Sequence, residues 1–219
     1  MEYRVLSFVD HTLLNPTATW KDIIKVCEEA MEYQTASVCV PPSFIARIRD
    51  RFESLNICTV IGFPLGYMES HVKNFELLAA KKAGANEFDM VINIGDAKAG
   101  DFGKITEEIK LLKATAGDNI LKVITETCYL TEGEKIALCK AVTEGGADYI
   151  KTSTGFGAAG ATFKDIELFK QHIGPGVKIK AAGGIAAIED LETFIYLGCS
   201  RIGTSRAIGL VTNTKTRGY

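Results

Sequence analysis

Asp148-Tyr149-Ile150-Lys151-Thr152-Ser153-Thr154-Gly155 is the stretch on which the reading of this chain turns. It opens as a short strand and ends in three hydroxyl residues closed by glycine. Gly145-Gly146-Ala147 leads into it from a helical pattern over 132–143, and another helical pattern over 162–172 follows. Helix, glycine turn, strand, polar loop and helix in that order make one unit of a parallel β/α fold. Lys151 stands out because a strand buried on both faces normally reads as an unbroken apolar run.

The unit recurs in both directions along the chain. Strands are expected over 37–40, 57–63, 87–92, 121–126, 148–152, 177–181 and 201–204. A weaker candidate lies around 8–12, where pattern alone does not separate helix from strand. Helices are expected over 19–33, 43–53, 69–83, 104–115, 132–143, 162–172 and 188–196, with a last short one opening at Ser205. Thr131 with Glu134 forms a capping-box signature. Gly84, Gly117, Gly145 and Gly198 fall where a helix C-cap is followed by glycine. Strict alternation implies parallel strands with right-handed crossovers. Eight strands match a (β/α)8 TIM barrel, whereas seven would suit an open doubly wound sheet. Related junctions at Ala83-Gly84-Ala85, Gly145-Gly146-Ala147 and Leu197-Gly198-Cys199 reuse one turn rather than mark a solenoid. No linker or low-complexity tract divides the chain, so residues 1–219 are expected to form a single barrel domain.

Composition narrows the function classes. The 219 residues are 47% hydrophobic and 24% charged, and 25 basic against 27 acidic residues leave a net charge of −2. Such a balance gives no bulk positive field for nucleic acid. No apolar run approaches the ~20 residues that cross a bilayer, and the opening Met1-Glu2-Tyr3-Arg4-Val5-Leu6 lacks the pattern of a signal peptide. Cys27, Cys39, Cys58, Cys128, Cys139 and Cys199 are scattered with no C-x-x-C pair, as expected for reduced thiols in a cytoplasmic protein. Neither a zinc module nor a disulfide framework is expected, and His11, His71 and His172 show no metal-ligand spacing.

Strand parity then points inward. Side chains alternate across a strand. If Val177, Ile179 and Ala181 face the helices, Lys178 and Lys180 point into the barrel, and the same parity turns Lys122, Lys151 and Asp89 inward. For any single strand lysine, the ordinary reading is an ion pair filling a polar barrel centre. Several on different strands shift the balance, because clustering like charges in low dielectric is costly without a use. A lysine desolvated beside another cation gives up its proton more readily and becomes a nucleophilic amine, as an imine with a carbonyl substrate requires. Glycine loops follow three strands, at Gly155, at Gly183-Gly184 and at Gly203-Thr204-Ser205. Barrels often hold phosphate in the loops after their last two strands.

These motifs resemble the deoxyribose-phosphate aldolase family across nearly the whole chain. The resemblance is carried by Asp10-His11-Thr12-Leu13-Leu14, Val60-Ile61-Gly62-Phe63-Pro64-Leu65-Gly66, Glu87-Phe88-Asp89-Met90-Val91, Ile150-Lys151-Thr152-Ser153-Thr154-Gly155 and Lys180-Ala181-Ala182-Gly183-Gly184. It implies a class I aldolase of deoxynucleoside breakdown that splits 2-deoxy-D-ribose 5-phosphate into D-glyceraldehyde 3-phosphate and acetaldehyde. It also implies that no metal and no organic cofactor is used. By resemblance Lys151 is the Schiff-base lysine, Lys180 its partner and Asp89 the acid/base aspartate. Gly155, Gly183, Gly184, Thr204 and Ser205 would hold the phosphate.

The chain carries Phe156 where some family members have a basic residue, which takes away a direct charge from that loop. Cys39 matches a thiol near the aldehyde end of the family's site and reads equally well as a small buried hydrophobe. Asp10 ends the first strand as a supporting polar group or a cap, and Trp20 falls at core spacing. The tail, with Lys215, Arg217 and Tyr219, reads either as a frayed terminus or as a segment folding over the barrel mouth. Partners are expected to be small phosphosugars and aldehydes, and a homo-dimer or homo-tetramer is compatible with the sequence. Two other functions fit parts of the pattern: a phosphosugar isomerase or different barrel aldolase, and a non-catalytic sugar-phosphate sensor. An isomerase has no need of the Lys151/Lys180 pairing, and a sensor has no need of an activated amine.

Overall fold

Eight parallel strands pair in sequence order and close by joining the first to the last in a computed structural model, which describes residues 2–212. In chain order the elements are β1 (Val9–Thr12), α1 (Trp20–Glu32), β2 (Ser37–Val40), α2 (Ile45–Arg51), β3 (Ile57–Ile61) and α3 (Ser70–Ala83). They continue with β4 (Glu87–Val91), α4 (Ile94–Ala99), α5 (Phe102–Ala116), β5 (Ile120–Ile124), α6 (Glu132–Glu144) and β6 (Tyr149–Lys151). The last are α7 (Phe163–His172), β7 (Lys178–Ala182), α8 (Ile188–Leu197), β8 (Arg201–Thr204) and α9 (Ala207–Thr212). The barrel, not the open sheet, is therefore the fold, and the weak first candidate is the strand that completes it: Asp10 lies opposite Gly203 on one side and Ser37 on the other.

Alternation along the strands divides the molecule into two chemically different interiors. Val38, Ile57, Phe88, Met90, Val123, Ile150 and Ala181 turn outward and join Ile23, Ile109, Leu112 and Phe169 of the helices in one apolar shell. Burying each large aliphatic side chain contributes about 1.5–3 kcal/mol, so this shell supplies most of the driving force for folding. Inside the barrel, β2 and β3 contribute a small apolar cluster of Cys39, Cys58 and Val60. Charged side chains fill much of the rest, with Ser37 and Tyr149 against them.

Local signals account for most boundaries. Thr131 and Glu134 cap α6 reciprocally, the carboxylate accepting from Thr131 N–H at 2.7 Å. At the start of α1 the Asp22 carboxylate accepts from both the N–H and the hydroxyl of Thr19, at 2.8 and 2.5 Å. Gly84 and Gly198 end their helices in the left-handed conformation. Gly145 also follows its helix as expected, but its own conformation is helical and the left-handed residue is Gly146. A Cβ at Gly145 would lie 2.5 Å from Ile109 Cγ2, so glycine there lets α6 approach α5. Pro41-Pro42 turns the start of the 43–53 helix into a separate 3-10 turn, and Gly100 separates α4, which sequence patterning missed, from α5. Residues Glu2–Phe8 form a 3-10 helix, also not anticipated. Among the described residues no helix is long and apolar enough to cross a membrane.

Candidate active site

Lysine, aspartate and arginine meet inside the barrel because their strands present them at adjacent register positions. Asp89 lies opposite Lys122, Lys151 opposite Lys180, and Lys180 opposite Arg201. Asp89 is the hub. Its Oδ2 accepts from Lys151 Nζ at 2.7 Å and from Lys180 Nζ at 2.6 Å, and its Oδ1 accepts from Lys122 Nζ at 2.9 Å. Burial alone would raise the pKa of this carboxyl, but Lys122, Lys151 and Lys180 overcome it and hold Asp89 well below the usual carboxylate range.

A second hub sits beside it. Asp10 accepts from Lys180, from Arg201 and, at 2.7 Å, from Ser37 Oγ. Burial opposes its ionisation too, and Lys122, Lys180 and Arg201 reverse the effect and keep it charged. Glu87 completes the network, 2.6 Å from Lys122 and 2.9 Å from Arg201. The two acidic hubs act in turn on the bases. Burial pushes Lys122 and Lys180 toward the neutral amine, but Asp10 and Asp89 outweigh it and raise both above the ordinary lysine value.

Among the described residues the network thus sets Lys122, Lys151, Lys180 and Arg201 against Asp10, Glu87 and Asp89. One basic group can therefore lose its charge without leaving a carboxylate unpaired. Only one of the three inward lysines reaches open space. A cavity of about 290 Å³ opens above the network, and Lys151 lines it whereas Lys122 and Lys180 do not. The ion-pair reading of strand lysines therefore holds for all three, and Lys151 differs in that it lines the cavity as well. Lys178 is not part of the cluster: it is exposed, with its ammonium 5.7 Å from the centre of the Tyr149 ring. It occupies the first residue of β7, where an inward-facing side chain meets the barrel's outer rim instead of its centre.

Gly155, Gly183, Gly184, Thr204 and Ser205 all line the same cavity. Gly183 and Gly184 have φ of +79° and +74°, a conformation that keeps side chains out and bares the backbone. Gly160 packs so closely that a Cβ on it would stand 2.3 Å from the Gly183 carbonyl carbon. Phe156 lines the cavity as well and packs edge-on against Phe63, with ring centres 5.3 Å apart.

Several contributors escaped the sequence reading. Thr12, Asn15 and Arg206 line the cavity. Glu126, buried just beyond β5, has φ of +48° and accepts from Thr154 N–H and Oγ1, pinning the loop that carries Gly155. Only strand parity could have flagged Glu87 and Arg201. Cys39 lies buried beside Cys58 and does not line the cavity. His11 is buried on the helix side of β1 with Nε2 2.8 Å from Glu29 of α1, while His71 and His172 are exposed. Trp20 stacks on Phe44 at 6.2 Å under Arg47. The tail residues Lys215, Arg217 and Tyr219 lie outside the described residues. Cys39, Cys58 and Asp89 present three potential metal-ligand atoms within 4.8 Å of one another, as do Asp10, Cys58 and Glu87. In both sets the carboxylates already accept from Lys122, Lys180 or Arg201, so a divalent cation there would face cations at close range.

Residues 4–213 match the family described as DeoC/LacD family aldolase. The chain belongs to that family. Like its relatives, it is an aldolase, a carbon–carbon lyase. It is 61% identical to a deoxyribose-phosphate aldolase of Clostridium botulinum (strain Alaska E43 / Type E3) over 98% of both chains. It is 56% identical to a deoxyribose-phosphate aldolase of Streptococcus pyogenes serotype M4, again over 98% of both. Among solved structures, the deoxyribose phosphate aldolase from Aeropyrum pernix superimposes with a TM-score of 0.88 at 29% identity, covering 97% of this chain and 92% of the other. In this DeoC/LacD aldolase the cavity-facing lysine and the carboxylate hub beneath it are the parts suited to carbonyl chemistry.

Proposed function

We propose that this aldolase cleaves 2-deoxy-D-ribose 5-phosphate to D-glyceraldehyde 3-phosphate and acetaldehyde through an imine on Lys151. The observation that carries this reading is the position of Lys151, alone among the inward lysines in lining the cavity. The similar proteins named deoxyribose-phosphate aldolase support the choice of substrate.

The Lys151 amine adds to the C1 aldehyde, and loss of water leaves a protonated imine. A proton leaves the C3 hydroxyl and the C2–C3 bond breaks, its electron pair flowing into the imine to give an enamine while the old C3 becomes the aldehyde of glyceraldehyde 3-phosphate. Protonation of the enamine at C2 and addition of water release acetaldehyde and restore the amine. Imine formation takes Lys151 hydrogens from Asp89, which frees part of Oδ2 to relay a proton between substrate and the Lys180 ammonium. Gly155, Gly183, Gly184, Thr204 and Ser205 grip the phosphate through backbone N–H groups and hydroxyls. Binding energy gained there, away from the reacting carbon, positions the carbonyl over Lys151.

The reading extends to a cytoplasmic enzyme, supported by six unpaired cysteines, and to a homo-dimer or homo-tetramer, as the Aeropyrum pernix protein is described as tetrameric. Sedimentation measures the latter. Borohydride reduction in the presence of acetaldehyde or deoxyribose phosphate, followed by peptide mass mapping, tests the reaction. The reduced two-carbon adduct is expected on the peptide containing Lys151. An adduct found only on Lys180 or Lys122 overturns the assignment.

A further inference from the structure

Lys73 is completely buried, yet it stands on α3, outside the barrel interior, and the chemistry above makes no use of it. Its Nζ lies 3.0 Å from Glu108 Oε2 of α5, and Ser70 Oγ donates to the other oxygen of that carboxylate at 2.9 Å. Burial draws the Lys73 ammonium below the ordinary lysine value, and Glu108 offsets only part of the effect. An apolar pair of similar volume is often as stable as a buried ion pair, or more so. Stability alone therefore gives little reason for a lysine at this position.

What the lysine reaches is the end of β4. Pairing between β3 and β4 stops with Ile61 opposite Met90, and the chain turns off at Gly62, where φ is +63°. No residue of β3 is paired with Val91; in that place Lys73 Nζ donates to the Val91 carbonyl at 2.9 Å. Gly62 leaves room for the reach, since a Cβ there would stand 3.0 Å from Lys73 Cε and 3.1 Å from Cδ. Glu76, about one turn further along α3, accepts from Gly62 N–H at 2.7 Å. One helix thus holds the ends of both strands, and Val91 follows Asp89 by two residues on β4.

We infer that Lys73 is a positioning residue for the aldolase reaction: through the Val91 carbonyl it fixes the end of β4, and with it the seat of Asp89 between Lys151 and Lys180. The inference rests on the proposed function for the part that Asp89 plays. A carboxylate that relays a proton between ammonium groups 2.7 and 2.6 Å away tolerates little movement. A displacement of about 1 Å passed in from outside a site can cost about 10²-fold in rate.

Lys73→Met alone would strand the Glu108 carboxylate, so the test uses Lys73→Met combined with Glu108→Leu, which removes both charges. This double variant is expected to match or exceed the thermal midpoint of the parent protein. Its kcat for deoxyribose 5-phosphate is expected to fall about 10- to 100-fold with KM little changed. A merely structural role would move the thermal midpoint and leave kcat with it. Backbone hydrogen exchange reads the same restraint without turnover. The Ile92 amide, which donates to Ile124 O just beyond Val91, is expected to exchange about 10- to 100-fold faster, with the amides of β7 unchanged. Parent-level kcat in the folded double variant overturns the inference, and so does parent-like exchange at Ile92. A double variant that fails to fold overturns it too, because the pair then serves folding and not the placing of Asp89. Failure to trap Lys151 by borohydride in the parent overturns the proposed reaction instead, while exchange at Ile92 still decides whether Lys73 holds the end of β4.

Discussion

Lys151 and Lys180 donate to the same oxygen, Oδ2 of Asp89, at 2.7 and 2.6 Å. The two lysines are not equivalent, because Lys180 also donates to Asp10 and is buried below the cavity floor, whereas Lys151 is held by Asp89 alone and meets open space. One lysine is thereby held between two carboxylates, and the other has a single carboxylate to leave.

Lys180→Met removes the ammonium that shares Asp89. Asp89 is then left to Lys122 and Lys151 alone, so more of its charge falls on Lys151, and the relay to Lys180 is gone. Turnover is expected to fall by about 10²–10⁴-fold, with the imine-forming limb of the pH–rate profile moved to higher pH. Stopped-flow rates across pH check this, and an unchanged profile rejects the role.

Asp89→Asn keeps the shape of the hub but leaves Lys122, Lys151 and Lys180 short of one negative charge. Deoxyribose 5-phosphate should still bind, since the glycine and hydroxyl loops are untouched, while kcat drops. Parent-level turnover in this variant rules out a catalytic part for Asp89.

Acid stability follows from Asp10 and Asp89. Both have folded pKa values below the ordinary carboxylate value, so as pH falls the unfolded chain takes up their protons first. Their contribution is complete above the unfolded value of about 3.9 and is lost progressively as pH drops below it toward the folded values. Asp10→Asn is expected to flatten this acid limb in a plot of thermal midpoint against pH. At neutral pH the same variant should be destabilised by about 3–5 kcal/mol, because Arg201 and Lys180 lose a buried partner.

Gly160→Ala tests the packing under the phosphate loop. Its Cβ would collide with backbone at Gly183, and backbone moves only by reshaping the Gly183-Gly184 turn. KM for the phosphorylated substrate is expected to rise by at least tenfold, roughly the loss of one good polar contact, whereas borohydride trapping with acetaldehyde should persist. A parent-like KM shows that the turn does not hold phosphate.

Glu126 holds a left-handed conformation that costs a non-glycine residue on the order of 1–3 kcal/mol. Its buried carboxylate offsets that cost by anchoring Thr154. Glu126→Ala keeps the strain and loses the anchor, so reduced stability together with weaker substrate binding is expected. Chemical denaturation and steady-state kinetics on the same preparation check both.

The sequence by itself determined the alternation of eight strands with helices, the inward Lys122, Lys151 and Lys180 and the glycine loops, because strand periodicity and turn chemistry are local and each leaves its mark within a few residues. It also carried Lys151, Lys180 and Asp89 through their motifs, and Lys151-to-Gly155 through one continuous stretch. Which lysine faces open space was decided only when the barrel closed, since Lys151 and Lys180 have the same parity and are register partners, and the cavity above them is built by distant loops. Asp10 and Arg201, 191 residues apart, became ion-pair partners through the pairing of β1 with β8. Gly160 looked like an ordinary loop residue for the same reason: a close approach to another backbone is a property of distant segments brought together and has no local sequence signature.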